Sequence, residues 1–243
     1  MIGFIVVFIS CVFVFSLATL IQRISGFGMG IIAILILPYL LRSHIEAALL
    51  SNLIACCTTT ILAYQKREYI RWELLKPLLI GSCTMTIFSV WVAKIASFVV
   101  LEKVLAIMLI GLAIYLLFLN GKLHIKPTNK NGLLAGGCGG ILNGLFSAGG
   151  TPVAIFILGA TTCYPVYFAT LQAYFSFNTF FASFVRIMNG MITARIVVGI
   201  IGGGIGVIGG NVLSKKIEGK ISEKYSQIII YIIIGISGIV MLF

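Results

Sequence analysis

Ten apolar runs follow one another along the chain, at about residues 3–22, 27–41, 45–64, 74–93, 101–119, 131–147, 151–160, 166–187, 192–213 and 226–243. About 20 residues of helix cross the roughly 30 Å of hydrocarbon in a bilayer, and most of the runs reach that length. Helices are expected because a backbone facing lipid must satisfy its own polar groups within the segment. The chain is 60% hydrophobic and 9% charged, with a mean hydropathy of +1.16, whereas soluble domains carry about 25% charged residues. The expectation is an all-α integral membrane protein with about eight full spans and about ten membrane-embedded segments.

The charge balance supports this and removes a competing class. Seventeen Lys and Arg stand against six Glu and no Asp, a formal net charge of +11. The basic residues cluster between apolar runs: Lys66, Arg67, Arg71 and Lys76, then Lys122, Lys126 and Lys130, then Lys215, Lys216, Lys220 and Lys224. Cytoplasmic loops concentrate Lys and Arg in this way, so no nucleic-acid partner is implied. If ten segments alternate, these loops share the cytoplasmic side and both termini lie outside a plasma or inner membrane. The first charged residue is Arg23, so the opening run lacks the basic start of a cleavable signal and reads as a retained helix. The six cysteines lack a C-x-x-C pair or a nearby His, which points to small buried residues and no metal site.

A shift of 122 positions superposes the two halves: Ser25 falls on Ser147, Gly28 on Gly150, Ala47 on Ala169, Gly81 on Gly203 and Lys94 on Lys216. A module with an odd number of membrane segments inserts its second copy upside down, the inverted-repeat plan of many secondary transporters. The expected division is a first repeat at 1–119, a cytoplasmic linker at 120–130 and a second repeat at 131–243.

Two Gly-rich breaks register under this shift. One reads Gln22-Arg23-Ile24-Ser25-Gly26-Phe27-Gly28-Met29-Gly30, with a short run ending near Pro38; the other reads Leu145-Phe146-Ser147-Ala148-Gly149-Gly150-Thr151-Pro152, followed by residues 153–158. Each is expected to interrupt a helix, with Pro152 in a first turn. A helix that starts inside a bilayer points unsatisfied N–H groups and a positive dipole end at its surroundings, and an anion is a natural acceptor. The candidate binding residues are Arg23, Ser25, Gly26, Phe27 and Gly28 from the first break, Ser147, Ala148, Gly149, Gly150 and Thr151 from the second, and Asn52, Gln172 and Asn178 from matching spans.

Other features carry structural readings. Gly136, Gly137, Gly139 and Gly140, and the cluster 202–210, are expected to let helices pack closely. Thr58, Thr59, Thr60 and Thr179 either line a cavity or bond between helices, and Gln22 and Asn143 are similar cases. Arg186, near the end of a span, is expected to snorkel to the interface. No span carries an acid at its centre, which argues against a buried proton or cation relay. With no P-loop, no hydrolase set from His44 and His124, and no cofactor motif, an enzyme is not expected.

The stretch Ser25-Gly26-Phe27-Gly28-Met29-Gly30 leading to Pro38, and Gly132 to Gly140 leading through Ser147 to Pro152, resemble the sulfite exporter TauE/SafE family of membrane permeases. The resemblance covers essentially the whole chain and implies transport of sulfite or an organosulfonate. Export suits the missing acids, because moving one negative charge outward along an inside-negative potential gains about 2.3 kcal/mol per 100 mV. The alternatives are a proton-coupled importer of a similar anion, using His44 or Glu46, or a non-transporting membrane scaffold. The expected partners are a small anion, the bilayer and, in one arrangement, further copies of the chain.

Overall fold

The computed structural model describes residues 2–25, 28–119, 126–161, 163–217, 235 and 238–239. Nine α-helices lie among the described residues: α1 Ile2–Ser25, α2 Met29–Leu41, α3 His44–Gln65, α4 Trp72–Ile95, α5 Phe98–Ile114, α6 Asn129–Phe146, α7 Gly150–Ala160, α8 Tyr164–Met188 and α9 Ala194–Ile217. A π-helical turn, Tyr115–Leu119, extends α5. The last apolar run, at 226–243, and most of the linker fall outside the described residues, apart from positions 126–130, 235, 238 and 239. Helix starts after loops carry ordinary caps: Ser43 accepts from the Glu46 N–H at 3.2 Å and Thr128 from the Asn131 N–H at 3.2 Å, each satisfying one orphan donor.

Among the described residues, four helices are long and apolar enough to cross a membrane: Gly3–Arg23, His44–Gln65, Trp72–Ile95 and Ala194–Lys216. The expected eight full spans exceed this count for a reason that α8 makes plain. It is the longest helix at 25 residues, yet it fails on composition because its inward face carries Gln172, Asn178, Ser183 and Arg186, all buried. A composition average cannot see which face a side chain occupies. The helices α2 and α7, at 13 and 11 residues, reach only about 20 Å and 17 Å at 1.5 Å per residue, short of the hydrocarbon thickness. Both stay apolar, and α2 continues through Pro38 to Leu41.

The distribution of polarity is that of a bilayer protein. Phe13 on α1, Ile80 and Phe88 on α4 and Ile208 on α9 are more than half exposed, whereas Ser51, Asn52, Gln172 and Asn178 are buried. Lipid tails solvate the first group, and the second finds partners only inside. The cysteines follow the same logic and correct the expectation of uniform burial: Cys11 is buried, but Cys57, Cys138 and Cys163 are exposed, since an apolar surroundings gives a thiol no reason to turn inward. This is a multi-pass membrane protein.

The helices pair across the halves. The most extensive contacts are α4 along α6 and α1 along α9, with α3 against α8 between them. Glycines spaced by four residues make the two outer pairings possible. A β-carbon on Gly136 or Gly140 would strike the carbonyls of Leu78 and Ser82 on α4, and one on Gly206 or Gly210 those of Val12 and Ser16 on α1. Close backbone approach is the packing role expected of these glycines.

Candidate functional site

The two breaks touch. At the first, Gly28 takes φ 106 and ψ −8, a left-handed conformation that costs glycine nothing. At the second, α6 stops on Ser147, which takes φ 59 and ψ 24. Its N–H donates to the Asn143 carbonyl at 2.9 Å, the αL type of helix end, and the Ala148 N–H donates to the Leu142 carbonyl at 3.4 Å. Gly30, in the first turn of α2, lies so close to this turn that a β-carbon would overlap the Ser147 carbonyl oxygen. Likewise Gly149 presses on the Gly139 carbonyl. Neither α2 nor α7 has a side-chain cap at its start.

Between the breaks lies a cavity of about 40 Å³. That volume holds a few waters or one small solute, since a water needs about 10–15 Å³ by the same measure. Gly28, Ser147, Ala148, Gly149, Gly150 and Asn178 line it, joined by Gln22, Asn143, Thr59 and Thr179. Asn52 stands behind Ser147: fully buried, it accepts from the Ser147 hydroxyl at 2.5 Å, and its amide Nδ2 has no partner among the described residues. A buried N–H donor without an acceptor is uncommon and costly, and this one lies one hydrogen bond behind the cavity wall that Ser147 forms.

The remaining candidates lie elsewhere. Arg23 is exposed and donates through Nε to Asn211 on α9 at 2.9 Å, beside a separate cavity of about 80 Å³. Thr151 is buried, with its hydroxyl unpartnered, and lines an apolar groove with Ala148 and Pro152 on the other side of α7. Gln172 is buried in α8 away from the break cavity. Ser25 ends α1, and Gly26 and Phe27 lie outside the described residues.

Asn178 does more than line the cavity. Its Oδ1 accepts from Ser82 at 2.7 Å and its Nδ2 donates to the Tyr174 hydroxyl at 3.1 Å, while Tyr174 donates to Ser82 at 3.0 Å. The Asn143 amide donates to the Asn178 carbonyl at 3.4 Å. A closed ring of this kind fixes the cavity wall. Sequence reasoning missed Ser82, Thr86, Ser89 and Tyr174; the signal was the spacing of the first three along one face of α4, opposite glycines at the same interval on α6. Thr58 and Thr59 instead return bonds to carbonyls of their own helix.

Arg186 corrects an expectation outright. It does not snorkel: it is 1% exposed, with Nη2 donating to the carbonyls of Asn143 at 3.0 Å and Gly144 at 2.7 Å. The reason is the break itself. Because α6 ends at Phe146, the Gly144 carbonyl lies in its last turn, where helical donors run out, and the buried guanidinium donates to it and shares the Asn143 carbonyl with the Ser147 N–H.

Comparison with curated proteins and with solved structures gives no match. The sulfite exporter TauE/SafE family model matches residues 11–241, a span that takes in both breaks, the cavity between them and the helices described above, with α1 from Cys11 onward. The chain belongs to the sulfite exporter TauE/SafE family of membrane transporters.

Proposed function

We propose that this chain is a secondary transporter that exports a small sulfur-containing anion, such as sulfite or an organosulfonate, by alternating access. The anion sits where the starts of α2 and α7 meet near the membrane midplane, held by first-turn N–H groups, the Ser147 hydroxyl and the Asn52 amide. One observation carries this reading: two uncapped helix starts enclose a small cavity, with a buried, unpaired amide donor behind its wall. Donors and positive dipole ends without acceptors select negative charge. The absence of acids from span centres favours export along the membrane potential over coupled uptake.

Two inverted repeats, 1–119 and 131–243 joined by the 120–130 linker, supply the moving parts. Support comes from the helix bounds: the 122-residue shift carries Trp72–Ile95 onto Ala194–Ile217 and brings α1, α2 and α3 close to α6, α7 and α8. Exchange of the halves also maps the α4 with α6 pairing onto α9 with α1, and α3 with α8 onto itself. Rocking one repeat against the other would open the shared site to each side in turn. In this arrangement the basic loops are cytoplasmic, the termini lie outside and the membrane is the plasma or inner membrane.

Flux in proteoliposomes tests the reading. Wild type should carry sulfite down an imposed potential without a pH gradient, and Gly150→Leu, which fills the cavity mouth, should abolish flux while the protein stays folded. Accumulation that requires a pH gradient would replace export with coupled import. Full flux in Gly150→Leu would remove the site from between the breaks.

A further inference from the structure

The second break holds a charge that the transport reading does not use. Among the described residues Arg186 Nη1 is buried and without a partner, and no carboxylate pairs with the guanidinium; the ion pair there is Arg71 with Glu73 at 3.8 Å, on exposed side chains. Arginine keeps its proton in proteins, and a lone charge in an apolar interior is costly unless compensated. Some compensation is present, because the Asn143 and Gly144 carbonyls belong to the negative end of the α6 dipole. Two carbonyl dipoles are not a counter-charge, and an ionisable residue kept inside a membrane bundle marks a functional site by default.

Position says which site. Asn143 accepts the guanidinium on its carbonyl and the Ser147 N–H on the same oxygen, while it also lines the break cavity. The guanidinium and the cavity therefore meet at the last turn of α6. The counterpart of Arg186 under the 122-residue shift is Tyr64, which is 68% exposed, so this buried charge is not repeated at the matching position of the first half.

We infer that Arg186 is a positioning residue that holds the second break in its turn and supplies the fixed positive charge that admits an anion to the cavity. The inference rests on the anion-transport reading and names the charge on which that reading depends. It acts through α6 and the local field.

Four proteins in detergent test it: wild type, Arg186→Lys, Arg186→Gln and Ser183→Asp, each measured for sulfite binding by titration calorimetry, for thermal unfolding, and for KM and kcat after reconstitution. Ser183 is buried one turn before Arg186 on α8, with its hydroxyl unpartnered; a carboxylate there lies at the i, i+3 spacing that pairs with the guanidinium. It neutralises the charge and leaves the hold on α6 in place, so the test survives if Arg186→Gln fails to fold. Lys should keep sulfite affinity within about threefold, whereas Gln and Ser183→Asp should weaken it about tenfold or more, mainly through KM. Wild-type affinity in folded Ser183→Asp or Arg186→Gln would overturn the inference, as would variants that lose thermal stability with unchanged affinity of the folded fraction. Wild type that binds no sulfite would overturn the transport reading and this inference with it, a result distinct from failure of the variants alone.

Discussion

The two breaks occupy matching places in the halves yet are built differently. The first turns on glycine, with Gly28 at a positive φ. The second turns on Ser147, where a left-handed conformation costs a non-glycine residue about 1–2 kcal/mol. That cost is met by neighbours: the Asn52 side chain takes the Ser147 hydroxyl, and Arg186 takes the carbonyls one turn back. The left-handed turn at Gly28 therefore needs no side-chain support, whereas the turn at Ser147 is flanked by hydrogen bonds from α3 and α8. A strained residue held in place by surrounding groups is a common device at binding sites.

The largest effect tests whether the breaks meet. Gly30→Ala drives a β-carbon into the Ser147 backbone, which cannot yield as a flexible side chain would. It should cost about 3 kcal/mol or more, read as a lower thermal midpoint in detergent and lost flux; wild-type behaviour would separate the two breaks. Next, Arg186→Met should destabilise by about 1–3 kcal/mol, because the Gly144 carbonyl loses its donor. Tyr64→Met, at the matching exposed position of the first half, should stay within about 0.5 kcal/mol. Equal losses would mean that the asymmetry carries no energy.

Smaller effects sharpen the contrast in turn chemistry. Gly28→Ala should cost about 1–2 kcal/mol by forcing a side chain into the left-handed region. Ser147→Gly should leave stability within about 1 kcal/mol, since relief of strain offsets one lost hydrogen bond, while sulfite affinity falls; calorimetry and thermal melts on the same samples separate the two. Smallest of all, Thr151→Ala should change stability by less than about 0.5 kcal/mol and leave affinity unaltered, because Thr151 is absent from the lining of the break cavity and its hydroxyl makes no hydrogen bond among the described residues. A loss of affinity there would extend the site across α7.

Much of this was legible in the residues. Run lengths place the helices because bilayer thickness fixes how many residues a span needs, and the short runs after Gly28 and Gly150 emerge as α2 and α7. The candidates Gly28, Ser147, Ala148, Gly149, Gly150 and Asn178 come together around one cavity because left-handed turns and helix starts are local, glycine-dependent events. Arg23 and Thr151 sit at the same breaks in sequence yet point elsewhere, since which face of a helix meets the cavity depends on its neighbours.

Sequence by itself determined that the chain lives in a bilayer, where the described helices lie to within a few residues, and that two Gly-rich interruptions register under one shift of the sequence. These follow from solvent thickness and backbone torsion, which act residue by residue. Tertiary structure alone decided that Gly30 rests on Ser147, that Asn52 keeps a buried donor free and that Arg186 turns inward. Each of those depends on which carbonyls a broken helix leaves without donors, and on what another helix 40 or 90 residues away brings within reach.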